Sequence, residues 1–127
     1  MSDTLTNKFC LVLSNFPNQT IAETMAEVLV NKQLAACVNI LAPCTSIYHW
    51  QGKLHQDQEV PVIIKTREEL VKQVEQAILE HHPYELPEII SVPIEQGYSP
   101  YLEWLLAQTS TPSSYCLLYT SPSPRDS

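Results

Sequence analysis

Ser46-Ile47-Tyr48-His49-Trp50-Gln51-Gly52-Lys53 lies near the middle of the chain and decides how the rest is arranged. Ser46, Tyr48 and Trp50 share one parity and Ile47 and His49 the other, the alternation of a strand whose side chains point to opposite faces. Gln51-Gly52-Lys53 then supplies a tight reversal, so the stretch is the tip of a β-hairpin. The return strand contains Glu59-Val60-Pro61-Val62-Ile63-Ile64-Lys65, with Val60, Val62 and Ile64 on one face and Glu59, Ile63 and Lys65 on the other. Pro61 has no N–H for a ladder, which puts this strand at an edge or at a bulge. Upstream, Leu34-Ala35-Ala36-Cys37-Val38-Asn39-Ile40 begins the outgoing strand, which Pro43 bends.

Moving outward, each arm of the hairpin is flanked by a helix. Before it, Thr20-Ile21-Ala22-Glu23 has the form of a capping box, and Ile21, Met25, Val28 and Leu29 recur at helical spacing as far as Gln33. After it, Thr66-Arg67-Glu68-Glu69 repeats the capping form, and Leu70, Val74, Ala77, Ile78 and His81 continue one stripe. That stripe turns His81 toward the sheet and leaves His82, held before Pro83, pointing away. Phe9 to Ser14 and Ile89 to Ile94 are short apolar runs that read as the first and last strands in chain order. Ser99-Pro100 caps a short last helix with Leu102, Leu105 and Leu106 on its apolar side.

The order strand, helix, strand, strand, helix, strand predicts an α+β, ferredoxin-like sandwich: an antiparallel sheet with two helices on one face, a long hairpin between the second and third strands, and a short C-terminal helix. The opposite sheet face is left bare, and Tyr48 and Trp50 extend beyond what two helices cover, so self-association through those residues is expected. At 127 residues the chain has one core and no room for a second lobe. A net charge of −7 argues against nucleic acid as a partner and is compatible with cations or neutral small molecules. Neither a membrane-length apolar run nor an export-type start is present, and the four cysteines have no C-x-x-C spacing, so a soluble cytoplasmic protein with reduced thiols and no membrane partner is expected.

The chemistry gathers in His81-His82-Pro83-Tyr84-Glu85-Leu86-Pro87-Glu88, where two imidazoles, a phenol and two carboxylates fall in a segment stiffened by two prolines. Imidazole is a good ligand for copper, zinc and nickel, and it also changes charge near neutral pH. The ordinary use of such a pair is capping the end of a helix. Neither a nucleophile with its base nor a glycine-rich phosphate loop is evident, the only glycines being Gly52 and Gly97, so no enzymatic activity is expected.

Taken together, Leu34 to Ile40, the hairpin residues Ser46, Tyr48, Trp50, Gly52 and Lys53, the run Glu59 to Thr66 and the run His81 to Glu88 resemble the CutA divalent-cation tolerance family, over Phe9 to about Ala107. The resemblance implies a homotrimer whose long hairpins pair between subunits, a divalent metal ion as partner, copper as the bound metal, and His81 and His82 as its histidine ligands. The family's third ligand is a cysteine near the end of the first strand, and Ser14 stands at the matching position. Serine is a poor copper ligand, so the expectation is weak copper(II) binding through His82, with copper(I) affinity reduced most. No other cofactor is implied.

A second reading is a trimeric ligand-binding or signalling module whose inter-subunit clefts are lined by Glu59, Lys65, Tyr84 and Glu88. Glu59 and Lys65 are six residues apart, roughly 20 Å along an extended strand, and cannot pair with each other. Outside the 9–107 domain, residues 1–8 read as a polar extension. The Ser-, Thr- and Pro-rich residues 108–127 read as a disordered tail whose end resembles translated vector sequence.

Overall fold

In β1, Phe9–Phe16, the alternation of the sequence becomes two chemically different faces: Cys10, Val12, Ser14 and Phe16 are buried, while Leu11, Leu13 and Asn15 are half-covered. The computed structural model describes residues 8–110. β1 is followed by α1 (Gln19–Asn31), β2 (Cys37–Ile40), β3 (Cys44–Trp50), β4 (Lys53–Arg67), a 3₁₀ turn at Glu68–Leu70, α2 (Val71–His81), β5 (Ile90–Ile94) and α3 (Ser99–Gln108). The sheet order is β2-β4-β1-β5, every pair antiparallel, with β3 continuing the hairpin alongside β4. This is the ferredoxin-like α+β arrangement that the element order predicts.

Residues directly opposite in an antiparallel pair share a face, so the pairs Val12↔Ile64, Phe16↔Val60 and Val38↔Ile64 line up one apolar layer. Ala22, Met25 and Leu29 of α1 and Val74, Ala77 and Ile78 of α2 close over that layer as the main core. On the other face α3 covers only one end, where Leu105 packs with Phe9 and Ala36 and is flanked by Ile94, Tyr101 and Trp104. Arg67 locks this end, donating from Nε to Thr109 Oγ1 and from Nη2 to the Thr109 carbonyl at 2.8 and 2.7 Å. Thr109 is therefore a buried part of the fold, beyond the domain end expected at Ala107. The rest of this face, Leu11, Leu13 and Ile63 beside the exposed Ile90 and Val92, carries no helix among the described residues.

Several local expectations change for physical reasons. The cap of α1 is Asn18, whose side chain accepts the Ile21 N–H at 2.9 Å, and Thr20 lies inside the helix. Thr66 does not cap α2, because β4 runs on through Arg67 and the buried Thr66 hydroxyl donates to the Leu34 carbonyl at 2.6 Å. The N-cap of α3 is Tyr98, with Ser99 already helical. β4 is an inner strand of the sheet rather than an edge. Pro61 is accommodated because its carbonyl accepts the Leu41 N–H at 2.9 Å, so its missing donor faces the break between β2 and β3. There residues 41–43 stand opposite residues 60 and 61, a bulge in the partner strand. At the hairpin tip, Gln51 and Gly52 have φ of 52° and 80°, the left-handed pair that a two-residue hairpin turn requires. Residues 1–7 of the expected 1–8 extension and residues 111–127 of the expected 108–127 tail lie outside the described residues.

Candidate functional site

His82 is the anchor of the site. The helix ends at His81 because His82 is extended, with φ −84° and ψ 134°, as the proline that follows demands. Its ring lies against Phe16 at a centroid distance of 4.6 Å, with Tyr84 equally close on a tilted plane. His82 Nε2 is 2.6 Å from the Asn15 carbonyl, and the Tyr84 N–H donates to His82 Nδ1 at 3.1 Å. A carbonyl can only accept and an amide N–H can only donate, so the ring is the neutral Nε2–H tautomer with both nitrogens engaged. His81 is the exposed member of the pair, with Nδ1 2.9 Å from the Ala77 carbonyl and Nε2 left facing solvent. The orientation read from the helical stripe is thus reversed, because the helix stops at His81 and the chain turns His82 back onto the end of β1.

This clamp carries the loop to the hairpin. The Tyr84 phenol is pushed up to about 12, first by burial and then by the Glu59 carboxylate. Asn15 Nδ2 donates to Glu88 Oε1 at 2.9 Å. On the hairpin, the Tyr48 hydroxyl donates to Asp57 Oδ2 in a short hydrogen bond that raises the pKa of the phenol. Between loop and hairpin lies a cavity of about 420 Å³ whose walls include Tyr48, Trp50 and Tyr84 together with Asp57, Glu59, Glu85 and Glu88. Three of the four residues expected to form a cleft, Glu59, Tyr84 and Glu88, meet here. Lys65 does not: it sits six residues along β4, with its ammonium 5.7 Å from the ring of Tyr101 in α3. Asp57 and Asn15 belong to the site and were not anticipated, and Glu85 of the His81–Glu88 run lines it as well. Asp57 shares the parity of Glu59 on one strand, a signal present in the sequence, whereas Asn15 joins only through the pairing of β1 with β4.

A family model described as CutA1 divalent ion tolerance protein matches residues 10–108. The chain belongs to this family. The Protein CutA homolog of Xenopus laevis is 51% identical over 89 residues, 70% of this chain and 59% of that protein. The divalent-cation tolerance protein CutA of Thermus thermophilus is 41% identical over 99 residues, covering 78% of this chain and 96% of that one. The chain spans only 54 to 59% of the length of its vertebrate CutA relatives. Among solved structures, CutA1 from Thermus thermophilus superposes with a TM-score of 0.78 at 40% identity, over 80% of this chain and 99% of that one. CutA1 from Oryza sativa gives 0.79 at 38%, over 81% and 94%.

The donor set implied by CutA resemblance can be set against these atoms. His82 has no free lone pair, His81 has one, and Ser14 is 1% exposed with its hydroxyl in the helix-side core. Cys10 is buried, and burial pushes its thiol pKa up, away from the thiolate that a metal needs. Among the described residues no three His, Cys, Asp or Glu side chains are grouped to hold an ion. A chelate built from His81, His82 and Ser14 does not fit this arrangement. No helix of the described residues is long and apolar enough to cross a membrane.

Proposed function

We propose that the chain works as a homotrimer in the response to divalent cations, with copper(II) touching it at His81 alone and no reaction catalysed. The observation that carries assembly is apolar surface without cover. Leu11, Leu13 and Ile63 form a sheet face beside exposed Ile90 and Val92, and the projecting hairpin exposes Ile47 and Leu54 at 64 and 67%. Surfaces of this kind on a sheet are ordinarily covered by a partner. Tyr48 and Trp50, on the opposite face of the hairpin from Leu54, bring the same assembly to the edge of the cleft.

The metal reading rests on the free Nε2 of His81, a single imidazole at the surface, which makes a weak site. The free thiols of Cys10, Cys37 and Cys44, the last exposed, fit a reducing compartment such as the cytoplasm. Sedimentation of the full chain at micromolar concentration tests the assembly. A trimer is expected, weakened by Leu54→Glu and by Trp50→Ala, the latter by about 2 kcal/mol or more, as for an anchoring aromatic. A folded monomer would end the proposal.

A further inference from the structure

We propose that the cleft between the hairpin and the His82–Glu88 loop binds a small organic ammonium ion, its charge held by carboxylates and its apolar body by aromatic rings. This goes beyond copper and does not depend on it, and it shares Tyr48 and Trp50 with the proposed assembly at the edge of the cleft. The cavity of about 420 Å³ lies within the range of small-molecule pockets, about 300–1,000 Å³. Its walls carry four carboxylates and contain no Lys, Arg or His, so an anion would meet negative charge and no cationic side chain.

Two of those carboxylates are held by hydrogen bonds, Asp57 by the Tyr48 hydroxyl and Glu88 by the Asn15 amide, and the Glu59 carboxylate acts on the Tyr84 phenol. The negative charge is therefore pinned in place around the cavity. It is not gathered to a point: hard divalent cations need several oxygens converging on one ion, and among the described residues no three such side chains do so. Spread carboxylates suit a larger cation better than a bare metal. Tyr48, Trp50 and Tyr84 supply the remaining requirement, π faces that attract an ammonium group and pack against hydrocarbon. A ligand of this class satisfies both features of the walls at once, whereas a neutral hydrocarbon would leave the charges unanswered.

The test is titration of the full chain with benzylammonium, benzyl alcohol and benzoate, followed by calorimetry and by the Trp50 indole N–H resonance. Benzylammonium is expected to bind at least about tenfold more tightly than benzyl alcohol, benzoate not at all, and the Trp50 resonance to shift. Asp57→Asn combined with Glu59→Gln, which keeps the shape and removes two charges, should erase the advantage of benzylammonium while leaving benzyl alcohol binding unchanged. Equal affinity for the charged and neutral probes, retention of the advantage in the double variant, or no binding up to about 10 mM, a free energy weaker than about 3 kcal/mol, would each overturn the proposal. So would displacement of benzylammonium by equimolar magnesium or copper(II), which would make the cleft a metal site. His81→Ala removes the copper contact and should leave benzylammonium binding intact, so the two readings fail separately.

Discussion

Replacing His82 with alanine and, separately, His81 with alanine distinguishes a structural clamp from a surface ligand. Loss of the His82 ring removes the hydrogen bond to the Asn15 carbonyl at 2.6 Å and the acceptor for the Tyr84 N–H at 3.1 Å. Each is worth a net of about 0.5–1.5 kcal/mol. The stack on fully buried Phe16, at 4.6 Å, adds about 0.5–1.5 kcal/mol. His82→Ala should therefore destabilise the fold by about 2–4 kcal/mol. His81 is exposed and bonds only within its own helix, so His81→Ala should cost about 0.5 kcal/mol or less. Urea unfolding at fixed subunit concentration reads both from the shift in midpoint at constant slope. Copper(II) calorimetry supplies the converse: binding persists in His82→Ala and is lost in His81→Ala. A His82 variant as stable as the wild type, or one that alone loses copper, would refute the tautomer and hydrogen-bond assignment on which the site is built.

Ser14→Ala should raise stability by about 1 kcal/mol, because the Ser14 hydroxyl is buried without a hydrogen-bond partner among the described residues and such a group costs about 1–3 kcal/mol; a lower urea midpoint would mean that the hydroxyl has one. At high pH the Tyr84 phenol, held near 12 in the fold against about 10 in the unfolded chain, keeps its proton longer when folded, so stability should fall as pH rises from about 10 toward about 12. Glu59→Gln should move that ionisation to lower pH in a phenolate absorbance titration, and an unchanged curve would remove Glu59 as its partner.

What the sequence made legible is what repeats. The period-two pattern of Ser46, Tyr48 and Trp50 and of Val60, Val62 and Ile64 marked the hairpin and its faces, and the turn at Gln51-Gly52 has the dihedrals that such a turn requires. Errors fall where a local rule meets a partner distant in the chain. Thr66 has the spacing of a cap, but the carbonyl of Leu34, 32 residues away, takes its hydroxyl. Pro61 reads as an edge or bulge residue, and only the strand pairing shows that the bulge lies in the partner, at 41–43. The wheel that turned His81 inward was extended to the last residue of a helix, where the chain departs from the wheel. The proline rule fixed the backbone of His82 correctly and could not say that Phe16, 66 positions earlier, would be waiting for its ring. The cleft was half-visible for the same reason: Glu59, Tyr84 and Glu88 come from two segments rich in polar side chains, and Asn15 from a strand that otherwise reads as core.

One consequence of the strand lengths concerns how copies of this chain can join. β1 accompanies β4 only from Val60 onward, and β3 has no neighbour on its far side among the described residues, so residues 44–59 form a two-stranded ribbon open along both borders. If the β3 border of one copy joins the β4 border of the next, the contact is head-to-tail, and each copy both gives and receives. Such a chain of contacts ends only when it returns to its first member. The number of copies is then set by the angle at which the ribbon leaves the sheet, at the bulge opposite Pro61. A deletion within 41–43 that straightens this bend would change the angle while sparing both borders, converting a closed ring into an open, growing fibre.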